Sequence, residues 1–227
     1  IATERKDSYR LQAEALAQLC GTLGKGQKIL ILNNPCNPTG AVYPDQELQA
    51  LAKVCREEEV IVISDEIYSL IDFRKEKFSS IGRYLPESTV VTGGMSKAFS
   101  AGGWRLGLAF VPDAMSDMIK PWNALISETF SCVNAPVQYA ALEAFSQFEA
   151  LRPQIQRFTE IHSVAGSYLF KRFMQMDLNC PEPEGAFYLF PDFQNHREIL
   201  KKRGITKCHE LVDDLLNARQ VAMLPGT

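Results

Sequence analysis

The chain has 227 residues, 22% of them charged, and a formal net charge of −3, which is ordinary for a globular protein. Such a small negative charge gives no reason to expect nucleic acid or an anionic membrane as a partner, and no apolar run approaches the roughly 20 residues of a membrane span. The six cysteines show neither a CxxC pair nor the spacing of metal ligands. We therefore expect free thiols, no metal site and a reducing, cytoplasmic location.

The first part of the chain predicts strands that alternate with helices. Continuous apolar runs at 27–33, 60–65, 88–94 and 105–112 are typical of parallel strands that are covered on both faces. Between the first two runs lies segment 44–59, whose apolar residues recur at helical spacing. The buried face predicted for this helix consists of Leu48, Leu51, Ala52 and Cys55. Strands joined through helices predict a three-layer α/β/α fold with a mostly parallel sheet.

From about residue 134 the pattern changes to a long helical stretch. It runs over 134–175, and the proline at Pro153 predicts a break there. Beyond it we predict a strand over 184–193, a helix over 208–219 and a strand over 220–227. This order is typical of an α+β arrangement and differs from the alternation that precedes it.

The change of pattern predicts a domain boundary near residue 150. A large domain would cover residues 1–150 and a smaller α+β domain would cover 151–227. In the predicted strand of the second domain, Phe187, Tyr188 and Phe190 alternate as strand residues do, so we expect them in the core rather than in a binding site.

Polar side chains follow three successive predicted strands, at the point where each strand ends. Because ligands bind at the carboxyl ends of the strands in open α/β sheets, these residues are candidates for one site. They are Asn37 after the first strand, Asp65 and Tyr68 after the second, and Ser96, Lys97 and Arg105 after the third.

The chemistry of three of these residues points to one cofactor. Lys97 follows a Gly-Gly turn, where partial desolvation and neighbouring cations favour a free, nucleophilic amine. Arg105 can grip a phosphate with two hydrogen bonds. A buried Asp65 carboxylate needs a positive partner, which a protonated heterocyclic nitrogen can supply. A Schiff-base lysine, a carboxylate for a ring nitrogen and an arginine for a phosphate describe a pyridoxal phosphate site.

Each residue alone also has a structural interpretation. Asn37 is a common turn residue, Asp65 is a common helix cap, and Lys97 is the kind of residue usually found on a surface. Arg105 could pair with a carboxylate, and Tyr68 could belong to the core. Only the conjunction of all five at one sheet edge favours a site.

Three segments carry a resemblance to a known family. "NNPCNPTG" at 33–40, "SDEIY" at 64–68 and "GGMSKAFSAGGWRLG" at 93–107 resemble the signature segments of fold-type I, class I/II aminotransferases, the aspartate aminotransferase superfamily. "PEGAFYLFPDF" at 183–193 resembles the small domain of that family, so the resemblance covers nearly the whole chain. It implies the fold of type I pyridoxal-phosphate-dependent transferases, a homodimer, and amino acid and 2-oxo acid substrates.

The resemblance also implies roles for the residues. Lys97 would form the Schiff base with pyridoxal 5'-phosphate and move a proton between substrate and cofactor. Asp65 would pair with the pyridinium nitrogen, whereas Asn37 and Tyr68 would hydrogen-bond the phenolate oxygen. In this assignment Lys97, Asp65 and Tyr68 are catalytic.

Two features depart from the family pattern. Arg105 would bind the phosphate with the help of Ser96, but Gly94 stands where many members carry a Ser or Thr for the same phosphate. The family also places a phosphate-binding turn upstream of this sequence and the arginine for the substrate carboxylate downstream. We therefore expect the natural protein to be longer at both ends.

Two alternatives to an aminotransferase remain open. A lyase or synthase of the same fold, of the C–S lyase or 1-aminocyclopropane-1-carboxylate synthase type, shares the signature segments. A non-catalytic module, including the ligand-sensing half of a regulator, could also keep the sheet edge. The residues that would distinguish these functions lie outside the sequence.

Overall fold

A computed structural model describes residues 1–226. Its central sheet has four strands, β1 (Lys28–Asn33), β2 (Val60–Asp65), β3 (Thr89–Gly94) and β4 (Gly107–Phe110), in that spatial order. The first three strands are parallel, and β4 pairs antiparallel with β3. The prediction of an α/β fold with a mostly parallel sheet is confirmed.

Helices connect and flank these strands. The α-helices within the described residues are α1 (Ala13–Thr22), α2 (Asp45–Glu57), α3 (Ile119–Thr129), α4 (Ala135–Ser146), α5 (Phe148–Gln175), α6 (Arg197–Lys202) and α7 (Cys208–Arg219). The helix predicted over 208–219 is confirmed as α7. Within residues 1–226, no helix is long and apolar enough to cross a membrane.

One face of the sheet carries the largest core. Helix α2 packs against α1 and β2, and its four predicted core residues are all buried, with at most 1% of their surface exposed. They meet Val60 and Val62, which point to the same side of β2. This confirms the prediction of an amphipathic α2. Burial of a leucine such as Leu48 or Leu51 stabilises the fold by about 1.5–3 kcal/mol.

The opposite face of β1 differs from its prediction. Ile29 and Ile31 remain 59% and 71% exposed, although their continuous apolar run is typical of a strand covered on both faces. None of the elements within residues 1–226 covers these two side chains.

The long C-terminal helical stretch is interrupted at a different residue from the predicted one. Helix α4 ends at Ser146 and α5 begins at Phe148, so the break is at Gln147. The predicted break near Pro153 was wrong, because Pro153 lies inside α5. Pro153 is the sixth residue of α5, so its missing N–H leaves one intrahelical hydrogen bond unmade, and the helix continues through it.

Neither predicted C-terminal strand forms a regular ladder. In the segment predicted as a strand over 184–193, Gly185 pairs with Asp72 while Asp192 pairs with Asn179, each as an isolated bridge. Because the two ends of this segment pair with different residues, the segment forms no continuous ladder with a single partner strand. Residues 220–226 contain no strand, and Thr227, the last residue of that prediction, lies outside the described residues. The predicted boundary near residue 150 remains a prediction.

Segment 183–188, which we call the clamp segment, is fixed between the loop after β1 and the residues after β2. The amide of Gly185 donates to the Gly40 carbonyl at 2.9 Å, and the amide of Ala186 donates to the Ile71 carbonyl at 2.8 Å. A Cβ on Gly185 would lie 2.8 Å from the Ile71 carbonyl oxygen and 2.9 Å from the Val42 Cγ2 atom. The close approach therefore requires glycine at this position.

Gly185→Ala is expected to lower the free energy of unfolding by about 1–3 kcal/mol, because backbone must move to accommodate the added methyl group. Chemical denaturation measures this change. Gly21→Ala is the matched control, since a Cβ there meets no atom within 4 Å and alanine favours the helix in which Gly21 lies. An equal effect of both substitutions would contradict the steric account.

Candidate active site

The loop after β1 is tied to the end of β2 by one side chain. Asn33 donates through Nδ2 to the Asp65 carbonyl at 3.0 Å, and its Oδ1 accepts from the amide of Asn37 at 2.6 Å. The peptide bonds before Pro35 and Pro38 in this loop are both cis. Asn33 thus makes the local bond of the turn, and the side-chain amide of Asn37 is not used in it.

Asp65 ends β2, beside Asn33 of β1 and Thr92 of β3 in the strand register. Its Oδ1 accepts from the amide of Ile67 at 3.3 Å, which is the local hydrogen bond that a capping aspartate makes. Within residues 1–226 the carboxylate forms no ion pair. The cap accounts for one oxygen only, and the negative charge is left without a counter-ion.

Lys97 lies against a pair of aromatic rings, Tyr68 and Phe187, which contact each other edge to face at 5.2 Å. Its Nζ is 5.3 Å from the ring centroid of Tyr68 and 5.5 Å from that of Phe187. The side chain is half-buried, and no carboxylate of the described chain pairs with it. A half-buried amine without an acidic partner can act as a nucleophile or a base.

The loop that carries Lys97 is closed on itself. The amide of Ser100 donates to the Lys97 carbonyl at 3.0 Å, and that of Ala101 donates to the Met95 carbonyl at 3.2 Å. At the base of the loop, a Cβ on Gly94 would lie 2.7 Å from the Leu106 carbonyl oxygen. This close approach explains the glycine at a position where the resemblance predicts a Ser or Thr.

Arg105 and Ser96 lie on the same loop. Arg105 has a left-handed backbone conformation, with φ of 56°, is exposed, and donates from Nη1 to the Gly102 carbonyl at 2.9 Å. Ser96 is half-buried. Neither side chain bonds to a carboxylate of the described residues, so both remain available to an anion.

Tyr68 is the most buried member of the candidate set, with 2% of its surface exposed. Its hydroxyl lies 2.6 Å from the hydroxyl of Tyr188, and the two rings meet edge to face at 5.6 Å. Burial raises the pKa of Tyr68 and the Asp65 carboxylate adds to this, whereas Tyr188 and the Asn37 amide oppose it. Asn37 and Asp65 thus both lie close enough to the Tyr68 hydroxyl to act on it.

Phe187 and Tyr188 were missed as site residues. We expected both in a strand core, but the Phe187 ring is 38% exposed and faces the Lys97 amine, and Tyr188 bonds to Tyr68. The signal was Gly185, because a glycine within an apolar run marks close backbone approach rather than a regular strand.

Glu66 follows the same predicted strand as Asp65 and Tyr68, but the sequence indicated no role for it. It is 8% exposed, and its Oε1 accepts from the hydroxyls of Ser64 and Ser80. Burial raises its pKa, and the two serine hydroxyls act against this. Glu66 thus fixes the segment next to Asp65 onto the residues that precede β3.

Comparison with protein-family models matches residues 1–227 to aminotransferase class I and II. The chain belongs to this family. The membership confirms the resemblance that the segments around Asn37, Asp65 and Lys97 indicated.

Several known aminotransferases are similar to the chain. The aspartate aminotransferase of Bacillus subtilis is 33% identical over 214 residues, which cover 92% of this chain and 52% of that protein. The aspartate/prephenate aminotransferase of Thermus thermophilus is 36% identical over 165 residues, covering 73% of this chain and 42% of that protein. The chain thus spans about half the length of the curated relatives it matches.

The fold agrees with solved aminotransferase structures. The aspartate aminotransferase from Thermus thermophilus with maleate superposes with a TM-score of 0.86 at 31% identity, covering 99% of this chain and 55% of that one. An aromatic aminotransferase from Pyrococcus horikoshii gives a TM-score of 0.84 at 29% identity, covering 99% of this chain and 57% of that one. The α/β fold class inferred from the sequence is therefore shown.

The donor set fits the cofactor of aminotransferases. Asp65, Lys97 and Arg105 are three charged groups without an ion-pair partner among residues 1–226. Pyridoxal phosphate carries a complementary group for each, namely a protonated ring nitrogen, an aldehyde and a phosphate. In contrast, the described residues include no cluster of three or more His, Cys, Asp or Glu side chains that could hold a metal ion.

Proposed function

We propose that the complete protein is a pyridoxal-phosphate-dependent aminotransferase that moves an amino group from an L-amino acid to a 2-oxo acid. The observation that carries this proposal is the half-buried Lys97 amine, which lies against the Tyr68 and Phe187 rings without an acidic partner among residues 1–226. The uncompensated Asp65 carboxylate and the closed loop that also bears Arg105 support it.

Each residue has a separate task in this proposal. Asp65 would hold the ring nitrogen of the cofactor in its protonated state, and Asn37 and Tyr68 would donate hydrogen bonds to its phenolate oxygen. Arg105 and Ser96 would bind the phosphate. These five residues lie at the ends of neighbouring strands and on one closed loop. Their side chains therefore lose little conformational freedom when the cofactor binds.

Lys97 would be both the attachment point and the proton carrier. When bound, pyridoxal phosphate supplies an electron sink for the negative charge that develops at the substrate Cα atom. The Lys97 amine would take the proton from Cα as a general base. The Tyr68 and Phe187 rings shield one side of the amine from water.

We further propose a homodimer in a cytoplasmic setting. All six cysteines are free thiols, which supports a reducing compartment. The dimer follows from the family resemblance. We also propose the division into domains at about residue 150, where α5 begins.

A transfer assay tests the function. The full-length protein with pyridoxal phosphate is incubated with L-aspartate, the donor suggested by the names of its relatives, and with a panel of other L-amino acids and 2-oxo acids. We expect the 2-oxo acid of the donor to exceed one equivalent of enzyme only when an acceptor is present, because the acceptor must take up the amino group before the next turnover. Release of ammonia or a thiol without an acceptor would contradict amino transfer and indicate a lyase.

A further inference from the structure

Tyr188 brings a hydroxyl from the C-terminal part of the chain to the proposed cofactor site. The two oxygens of Tyr68 and Tyr188 are 2.6 Å apart, which is a short hydrogen bond between neutral hydroxyls. Tyr68 has almost no exposed surface and Tyr188 is half-buried. The contact is therefore an internal one.

Backbone contacts of the clamp segment, to which Tyr188 belongs, set the position of this residue. Gly185 and Ala186 bond to the loop after β1 and to the residues after β2, as described above. In addition, a Cβ on Gly40, which has φ of +71°, would lie 3.1 Å from the Tyr188 carbonyl oxygen. The loop that bears Asn37 and the segment that bears Tyr68 thus both hold the backbone around Tyr188.

The direction of the hydrogen bond follows from the number of protons available. A phenol has one hydrogen to donate and can accept through its oxygen. If Tyr68 donates its hydrogen to the cofactor, a step that rests on the proposed function, then Tyr188 must be the donor in the pair. Burial and the bond to Tyr68 raise the pKa of Tyr188 to about 12, although Lys97 lowers it somewhat, so Tyr188 keeps its proton at neutral pH.

We propose that Tyr188 is a positioning residue that donates a hydrogen bond to the Tyr68 oxygen and makes Tyr68 a stronger donor to the phenolate oxygen of pyridoxal phosphate. Hydrogen bonds in a chain polarise one another, so a bond received by Tyr68 strengthens the bond it gives. Tyr188 acts through Tyr68 and needs no contact of its own with the cofactor. The other charged groups that bear on Tyr68 are Asp65 and Lys97.

The test is a pH titration of the visible absorbance of the full-length protein reconstituted with pyridoxal phosphate. A hydrogen-bond donor to the phenolate oxygen stabilises its negative charge and therefore favours the deprotonated form of the bound cofactor. If this donor is weakened or removed, the pH at which the spectrum changes rises. We expect Tyr188→Phe to raise this midpoint by about half a pH unit, and Tyr68→Phe to raise it further.

The double variant Tyr68→Phe/Tyr188→Phe separates an indirect role from a direct one. We expect it to titrate like Tyr68→Phe alone, because Tyr188 then has nothing to act on. Tyr9→Phe is the matched control, since the Tyr9 ring packs edge to face on Phe190 and its hydroxyl makes no hydrogen bond within residues 1–226. Tyr9→Phe should leave the midpoint unchanged.

Three outcomes decide the question. An unchanged midpoint in Tyr188→Phe would overturn the inference, and so would a further shift in the double variant beyond that of Tyr68→Phe. A wild-type protein that shows no absorbance from bound pyridoxal phosphate would instead overturn the proposed function. Because phenylalanine keeps the ring and its edge-to-face packing, the unfolding midpoint of Tyr188→Phe should stay close to that of the wild type.

Discussion

Lys97→Ala is expected to lower the turnover of amino transfer by at least about 10³-fold, since it removes both the attachment point of the cofactor and the general base. Initial rates with saturating amino acid and 2-oxo acid measure the loss. Lys97→Arg keeps the positive charge against the Tyr68 and Phe187 rings but cannot attach the cofactor. It should be as inactive as the alanine variant.

The fold should tolerate both changes. Lys97 makes no ion pair within residues 1–226, and the loss of its contacts with two aromatic rings removes about 1 kcal/mol or less. Lys171→Ala is a suitable control, because Lys171 is exposed on α5. Lys97→Arg with more than a tenth of the wild-type rate would contradict the attachment role.

Asp65→Asn is expected to reduce kcat/KM by about 10²- to 10³-fold, which corresponds to the loss of one partner of a buried charge pair. The amide oxygen can still accept from the Ile67 amide, so the local cap survives. What disappears is the negative charge that would keep the ring nitrogen protonated. Steady-state kinetics on the holoenzyme measure the effect.

Asp192→Asn is the matched control for this substitution. The Asp192 Oδ1 accepts from the amide of Gln194 at 2.8 Å, which is the same local bond that Asp65 makes with the residue two positions ahead. Asp192 is also half-buried and forms no ion pair in the described chain. Equal losses in the two variants would show that removing the charge of either capping aspartate lowers activity, and would contradict a specific role of the Asp65 charge toward the cofactor.

Much of this structure could be predicted from local patterns. The strands that end at Asn33 and Asp65 were predicted because their apolar runs stop at polar residues, and the buried face of α2 followed from helical spacing. The candidate residues could be grouped at one edge because parallel strands end on the same side. These inferences need only the period of the pattern and the rule for ligand sites in open sheets.

The parts that failed depend on long-range contacts. Apolar alternation around Phe187 and Tyr188 resembles a strand, but the partners of that segment are two separate loops more than a hundred residues earlier, near Gly40 and Ile71. The break at Gln147 instead of Pro153 also shows that a helix can continue through a proline in its second turn, so the proline alone did not locate the break. No local pattern shows which residue a side chain will meet across the site.

The most direct test of the central claim is to locate the cofactor. The full-length protein with pyridoxal phosphate is treated with borohydride, digested and analysed by mass spectrometry. The account predicts that the reduced cofactor is found on the peptide that contains Lys97, and that Lys97→Arg yields no labelled peptide. Cofactor fixed on another lysine, or none fixed although the wild-type protein is folded and active, would contradict it.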